Sequence, residues 1–225
     1  MNAVAFSLWG SFPMYCQGAI RNSELMRQIY PGWKMVVYAD DSVPKKTITE
    51  LLKNGVEVRA PSIGNGMFWR FAASTGVGYD RVIFRDADSR ISNREAKVVR
   101  EWVESGKTAH IIADHPRHTP QIGGGLWGVK GDIISKLLST IPPNEKSEIN
   151  RNDIYNSDQV WLRDNVWPLI KDDVLIHDFC YHDRRVSAKP FPAKFGDWRF
   201  VGEVFDDANK PRSFDWEMRM NWMER

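Results

Sequence analysis

Four polar pairs directly follow short apolar runs in this sequence: Asp40-Asp41, Asp86-Ala87-Asp88, Asp114-His115 and His177-Asp178. The second is the most informative. Two carboxylates one residue apart can hold a hard divalent cation, directly or through water, and leave its other positions to a ligand's oxygens. Oxygen donors select Mg²⁺ or Mn²⁺ rather than zinc. An Asp-x-Asp alone arises readily by chance. Here it follows the run Val82-Ile83-Phe84, is flanked by Arg85 and Arg90, and precedes the capping box Ser92-Asn93-Arg94-Glu95. A solvated loop with local Asp–Arg pairs is the plain alternative, and the strand-end context favours the cation.

Other patterns carry less. Gly123-Gly124-Gly125 lets a backbone approach a ligand closely because no Cβ intervenes; a glycine-rich turn without a ligand reads equally well. No Gly-Lys-Ser/Thr follows a glycine loop, and no Gly-x-Gly-x-x-Gly occurs, so phosphate-loop and dinucleotide fingerprints are both missing. His115 and His118 have Pro116 between them and no further ligand set, which argues against a zinc pair.

Elements must hold these groups in place. Short apolar runs at 4–9, 34–39, 56–58, 81–84, 109–113, 126–129 and 174–176 predict strands. Between them, helices are expected at 17–30, from Pro44 to about Asn54, at 68–74, 94–104, 131–139 and 157–170, the last bent by Pro168. Strands alternating with helices mean an α/β fold with a mostly parallel, twisted sheet. Ligands of such sheets bind outside the carboxyl ends of the strands, where strand order reverses. That is where all four polar pairs fall.

The 225 residues suffice for one large domain with a substantial core. A formal charge of +2, from 31 basic and 29 acidic residues, excludes an acidic disordered tail and a polycationic nucleic-acid coat. Two cysteines, Cys16 and Cys180, cannot build a disulfide framework or a four-cysteine zinc site. No apolar run approaches a bilayer span, and residues 1–9 lack a basic signal-peptide start, so a cytoplasmic globular protein is expected. Ten tryptophans are many for this length, and flat indoles line sugar and base sites as well as cores.

The stretches FSLWG (6–10), PGWKMVVYADD (31–41), FWRF (68–71), RVIFRDADSRISNRE (81–95), IIADHPRH (111–118), IGGGLWG (122–128), SDQVWL (157–162), IHDF (176–179), PFP (190–192) and FVGEVFDD (200–207) occur in this order. Together they resemble small glycosyltransferases of the GT-A fold from bacteria and phages, with glycogenin-like retaining enzymes as distant relatives. The resemblance implies a single Rossmann-like GT-A domain over 1–225, with a nucleotide-sugar half to about 125 and an acceptor half from about 126. It implies a nucleotide-sugar donor, a UDP-sugar first, and a Mn²⁺ or Mg²⁺ ion on Asp86 and Asp88.

Further roles follow from the same resemblance. Phe6, Ser7 and Leu8 end the first strand, where the nucleoside is cradled, and Asp40 follows the second, where an acid contacts base or ribose. Arg70 suits a phosphate or sugar hydroxyl, since a guanidinium forks onto such oxygens, with a salt bridge as the alternative. Gly124 lies where a donor sugar would approach. Asp114, Asp158 and Gln159 face the donor and acceptor; either carboxylate binds sugar hydroxyls or acts as a base. For Asp158, a helix-start carboxylate favoured by the dipole is the other reading. His177 corresponds to the late histidine that completes the metal site, with His182 as substitute. The expected glycine and lysine after it are replaced by Asp178-Phe179-Cys180-Tyr181-His182, so Arg184 or Arg185 is expected to meet the diphosphate.

The implied reaction is glycosyl transfer, retaining rather than inverting, to a surface polysaccharide or glycan. A hydroxymethylated base in phage DNA is the second acceptor. A nucleotidyltransferase and a non-catalytic sugar-binding module are the rivals from other classes.

Overall fold

β1 (Asn2–Leu8), β2 (Lys34–Ala39), β3 (Glu57–Arg59), β4 (Arg81–Arg85), β5 (Ala109–Ala113), β6 (Trp127–Lys130), β7 (Val174–Asp178) and β8 (Ala188–Pro190) join in one sheet, in the order β3-β2-β1-β4-β6-β5-β7-β8. The computed structural model describes residues 1–75, 78–142, 156–181, 188–191 and 199–223. β6 runs antiparallel to both its neighbours, and the other described pairings are parallel. The expected α/β class with a mostly parallel sheet is what forms.

Both faces of the sheet are covered, as the continuous apolar strands require. Against one face lie α1 (Pro13–Ile29), α2 (Lys45–Lys53) and α3 (Asn93–Ser105). Phe6, Leu8, Val37 and Ile83 meet Met26, Leu51, Val99 and Trp102 there. The other face carries Phe68, Phe71, Trp161 and Leu162 against Ala5, Val36, Phe84 and Trp127. Side chains alternate between these layers with period two. That parity decides which strand-end residues reach the site and which join the core.

Several helices differ from expectation for local reasons. α1 starts at Pro13, four residues early, because proline suits the first helical position. The 68–74 and 131–139 segments tighten to 3₁₀ turns at Trp69–Ser74 and Ser135–Thr140. The long 157–170 helix is a helix at Ser157–Trp161, a π segment at Leu162–Val166 and a last turn at Trp167–Ile170. Pro168 has no N–H to donate, and the wider π turn precedes it. Half of the expected capping box forms: the Glu95 N–H donates to Ser92 Oγ at 3.2 Å, while the Glu95 carboxylate turns inward to the Tyr30 hydroxyl and Arg85. The strand β8 and the helix Ser213–Met223 carried no sequence signal.

Candidate functional site

From β1 the chain steps outward through β2 and β3, then returns to the opposite side of β1 at β4. Strand order therefore reverses between β1 and β4, where a crevice opens at the carboxyl ends. Phe6 pairs with Arg85, so Ser7 and Asp86 occupy adjoining positions at that reversal. The acidic pair sits at the switch point of the sheet.

Arg70 organises the floor. Its guanidinium is buried; Nη1 bonds Asp86 Oδ1, Nη2 donates to Asp158 Oδ2 at 2.9 Å, and Nη1 also reaches the Arg85 carbonyl at 3.3 Å. Its own N–H donates to Ser7 Oγ at 2.9 Å, tying the turn to β1. Three segments distant in sequence meet at this guanidinium, and the Arg70 backbone ties in a fourth at Ser7. Burial pushes the Asp158 carboxyl up, while the Arg70 charge pulls it back. Asp158 Oδ1 accepts the Gln159 N–H at 2.9 Å.

The glycine turn lies directly on this clamp. A Cβ at Gly124 would stand 2.0 Å from Asp158 Oδ2, and one at Gly125 only 2.1 Å from Asp86 Oδ2. Close approach is needed, as expected, but toward two carboxylates of the chain itself. Gly18 of α1 does the same from the opposite layer, where a Cβ would meet the Ala87 carbonyl at 1.9 Å. The Asp86-Ala87-Asp88 turn is thus gripped from both sides by glycine backbone.

The two acids differ. Half of the Asp86 side chain is open to solvent. Asp88 is deeper, and burial together with the Asp86 charge pushes its carboxyl up to about 6.

Other expected residues go elsewhere. Phe6 and Leu8 point into the α1–α3 layer as core, and of the three only Ser7 turns to the opposite layer, where its buried hydroxyl accepts the Arg70 N–H. Asp40 accepts from the Ser42 hydroxyl, and Ser42 Oγ accepts the Gly10 N–H at 2.7 Å, so it joins the exit turns of β1 and β2. Asp114 is wholly buried. Arg94 forks onto it at 2.5 and 2.6 Å, the Val201 N–H donates to it at 2.9 Å, and Arg219 lies 3.4 Å away. With both oxygens engaged, it does not fit a base or a sugar contact. His177 shares the parity of Leu175, so it faces α3: Nε2 meets Glu101 at 3.1 Å and Nδ1 meets His110 Nε2 at 2.9 Å. It is not brought to the acidic pair, and the expected third metal ligand is corrected accordingly. His182, Arg184 and Arg185 lie outside the described residues.

No family model matches the sequence, and no curated protein does either. Solved structures match in fold. Glucosyl-3-phosphoglycerate synthase from Mycobacterium tuberculosis, in complex with phosphoglyceric acid, aligns with a TM-score of 0.50 at 12% identity, over 78% of this chain and 68% of that one. A second structure of that synthase aligns with the same TM-score at 14% identity, over 78% and 69%. A glycosyltransferase involved in glycosylation of the major capsid of PBCV-1 aligns at 0.48 with 16% identity, over 79% and 81%. The chain has the GT-A glycosyltransferase fold.

In this GT-A chain the donor set at the switch point fits a hard divalent cation. Two carboxylates stand close enough for one to raise the other's pKa, and a cation would neutralise that repulsion. Among the described residues no third His, Cys, Asp or Glu joins them, so water and ligand oxygens would complete the shell. Among the described residues no helix is long and apolar enough to cross a membrane. Sequence reasoning missed Gly18, Arg94 and Arg219, each of which acts through a partner at least 20 positions away.

Proposed function

We propose that this chain transfers a glycosyl group from a nucleotide diphosphate sugar to a hydroxyl acceptor, with Mn²⁺ or Mg²⁺ held by Asp86 and Asp88. The observation that carries the reading is the acidic pair at the β1/β4 switch point of a GT-A fold, its turn gripped by Gly18 and Gly125. A bound cation would neutralise charge building on the departing diphosphate. The chain's own residues prepare that site. Arg70 orients Asp86 and holds Asp158 beside it, so it serves as a positioning residue with both its η nitrogens engaged. Asp158 is buried with both oxygens engaged, Oδ2 by Arg70 and Oδ1 by the Gln159 N–H, so it supports Asp86 from beneath rather than meeting a sugar. The half-buried Gln159 beside it is the one of the two left to meet a donor or acceptor hydroxyl. Ser7 marks the nucleoside end.

A UDP-sugar is the first donor to try, because the M. tuberculosis synthase is solved with Mn²⁺ and UDP-glucose. The acceptor read from the resemblance is a surface polysaccharide or glycan. Retention is the outcome expected from the order Asp158-Gln159 then His177, and proton NMR of the product anomer tests it.

The test is a panel of UDP-, GDP- and other nucleotide sugars with Mn²⁺, scored by thermal shift and donor hydrolysis. The right donor raises the apparent stability by mass action. Asp86→Asn and Asp88→Asn should each lose several kcal/mol of barrier lowering, about 10²–10⁴ in rate, with the fold intact. Wild-type turnover and unchanged metal dependence in both variants would reject the assignment.

A further inference from the structure

The C-terminal segment reaches the acidic pair although no motif marks it. The Phe205 N–H donates to the Asp88 carbonyl at 2.9 Å, and Ser89 bridges antiparallel to Val204. The Arg212 N–H donates to the Val204 carbonyl at 3.1 Å, and the Arg212 charge is felt at Asp88. Beneath the Arg90 guanidinium, 4.7 Å away, the Phe205 ring fixes this turn from the side.

The same segment is pinned a second time, some distance along the sheet edge. Asp114 at the end of β5 takes the Val201 N–H at 2.9 Å, and Arg219 donates to the Arg199 carbonyl at 2.8 Å while lying 3.4 Å from Asp114. Side chains of Arg219 and Asp114 are 2% and 0% exposed. Arg94 of α3 completes the cluster from below. Burying ions costs several kcal/mol each, which attraction and hydrogen bonds recover only in good geometry. A packed apolar group would fill the same space with less desolvation. What the ionic cluster adds is direction: a fixed fork that sets where backbone 199–201 lies.

We infer that residues 199–212 form a strap, clamped by the Asp114–Arg219 pair, that holds the Asp88 arm of the acidic pair, with Arg219 as a positioning residue for the cation site. The strap's role rests on reading Asp86 and Asp88 as cation ligands. Asp114 therefore acts at a distance through Arg219 and Val201.

Hydrogen–deuterium exchange of the wild-type protein with and without Mn²⁺ plus UDP tests the strap directly. Peptides covering 86–89 and 199–206 should slow together. Slowing at 86–89 alone overturns the strap and leaves the cation reading standing; slowing at neither overturns the cation reading itself, and the strap's role with it. Mn²⁺ titration then tests Arg219. Arg219→Met should weaken Mn²⁺ binding about 10-fold in the presence of UDP, as loss of a supporting partner commonly does. Arg219→Lys, which keeps the charge but not the fork between the Arg199 carbonyl and Asp114, should recover only part of that loss. A folded Arg219→Met protein with wild-type Mn²⁺ affinity overturns the proposal, and if this variant does not fold, the wild-type exchange result decides it.

Discussion

Arg70 and Asp158 meet 2.9 Å apart beneath the cleft, with side chains only 6% and 2% exposed. The guanidinium is shared with the half-open Asp86, so one cation serves a buried and a solvated carboxylate. Burying an ion pair gains little over an apolar pair, but removing one partner leaves a stranded charge. Arg70→Met should therefore cost about 3–5 kcal/mol in urea unfolding. Adding Asp158→Leu to that variant should restore much of the loss. A double variant as unstable as the sum of the two single ones would show that the pair is not the source.

Gly124 and Gly125 are neighbours with different partners, so alanine should separate them. At Gly124 the new Cβ meets the buried Asp158 carboxylate at 2.0 Å, which cannot swing into water. Overpacking of that kind costs about 1–3 kcal/mol. At Gly125 it meets the Asp86 carboxylate, which has solvent to move into. Gly125→Ala should keep its melting temperature and lose Mn²⁺ affinity; Gly124→Ala should lose melting temperature first. Equal loss of stability in the two variants would contradict the division.

Gly18 tests the opposite grip. Its absent Cβ makes room for the Ala87 carbonyl, a backbone atom that cannot rotate away. Gly18→Ala should push α1 off the acidic turn, costing about 1–3 kcal/mol by thermal unfolding and weakening Mn²⁺ binding as well. Gly55→Ala is a useful contrast, since nothing lies within 4 Å of its Cβ position and its φ of +79° carries only local strain. If Gly18→Ala leaves both readouts unchanged, α1 does not seat the turn.

Strands β1 to β7 were legible as short apolar runs, β8 was not, and the acidic turn was legible because it ends such a run. The glycine turn was recognised as a close approach, but its partners sit at positions 86 and 158, and no local pattern names them. His177 is the instructive case. Its parity with Leu175 already puts it on the α3 side, whereas matching it to a family histidine put it at the cation. Arg219 had no readable signal, since a charged residue in a helix is ordinarily solvated and only the tertiary contact with Asp114 distinguishes it. The antiparallel β6 was equally hidden, because strand direction depends on where the chain re-enters the sheet.

Glu101, His177 and His110 form a chain from the surface into the core, and it should set the acid limit of folding. Glu101 accepts from His177 Nε2, so His177 Nδ1 accepts from His110 Nε2, and both rings are neutral in this arrangement. Trp102 stacks on His110 at 5.6 Å, and His110 Nδ1 has no hydrogen-bond partner among the described residues. Burial holds both imidazoles below their ordinary value, with Glu101 pulling His177 partly back. Unfolded histidines gain protons near pH 6.5 while these stay neutral, so protons favour the unfolded chain. Their contribution is complete above about pH 6.5 and drains as pH falls toward the folded values, by up to about 1.4 kcal/mol per pH unit for each ring. Urea unfolding between pH 7.5 and 5.5 should show this loss, and His110→Phe, which removes one titrating ring and preserves the stack on Trp102, should make it shallower. The same slope in both proteins would mean that other groups carry the acid sensitivity.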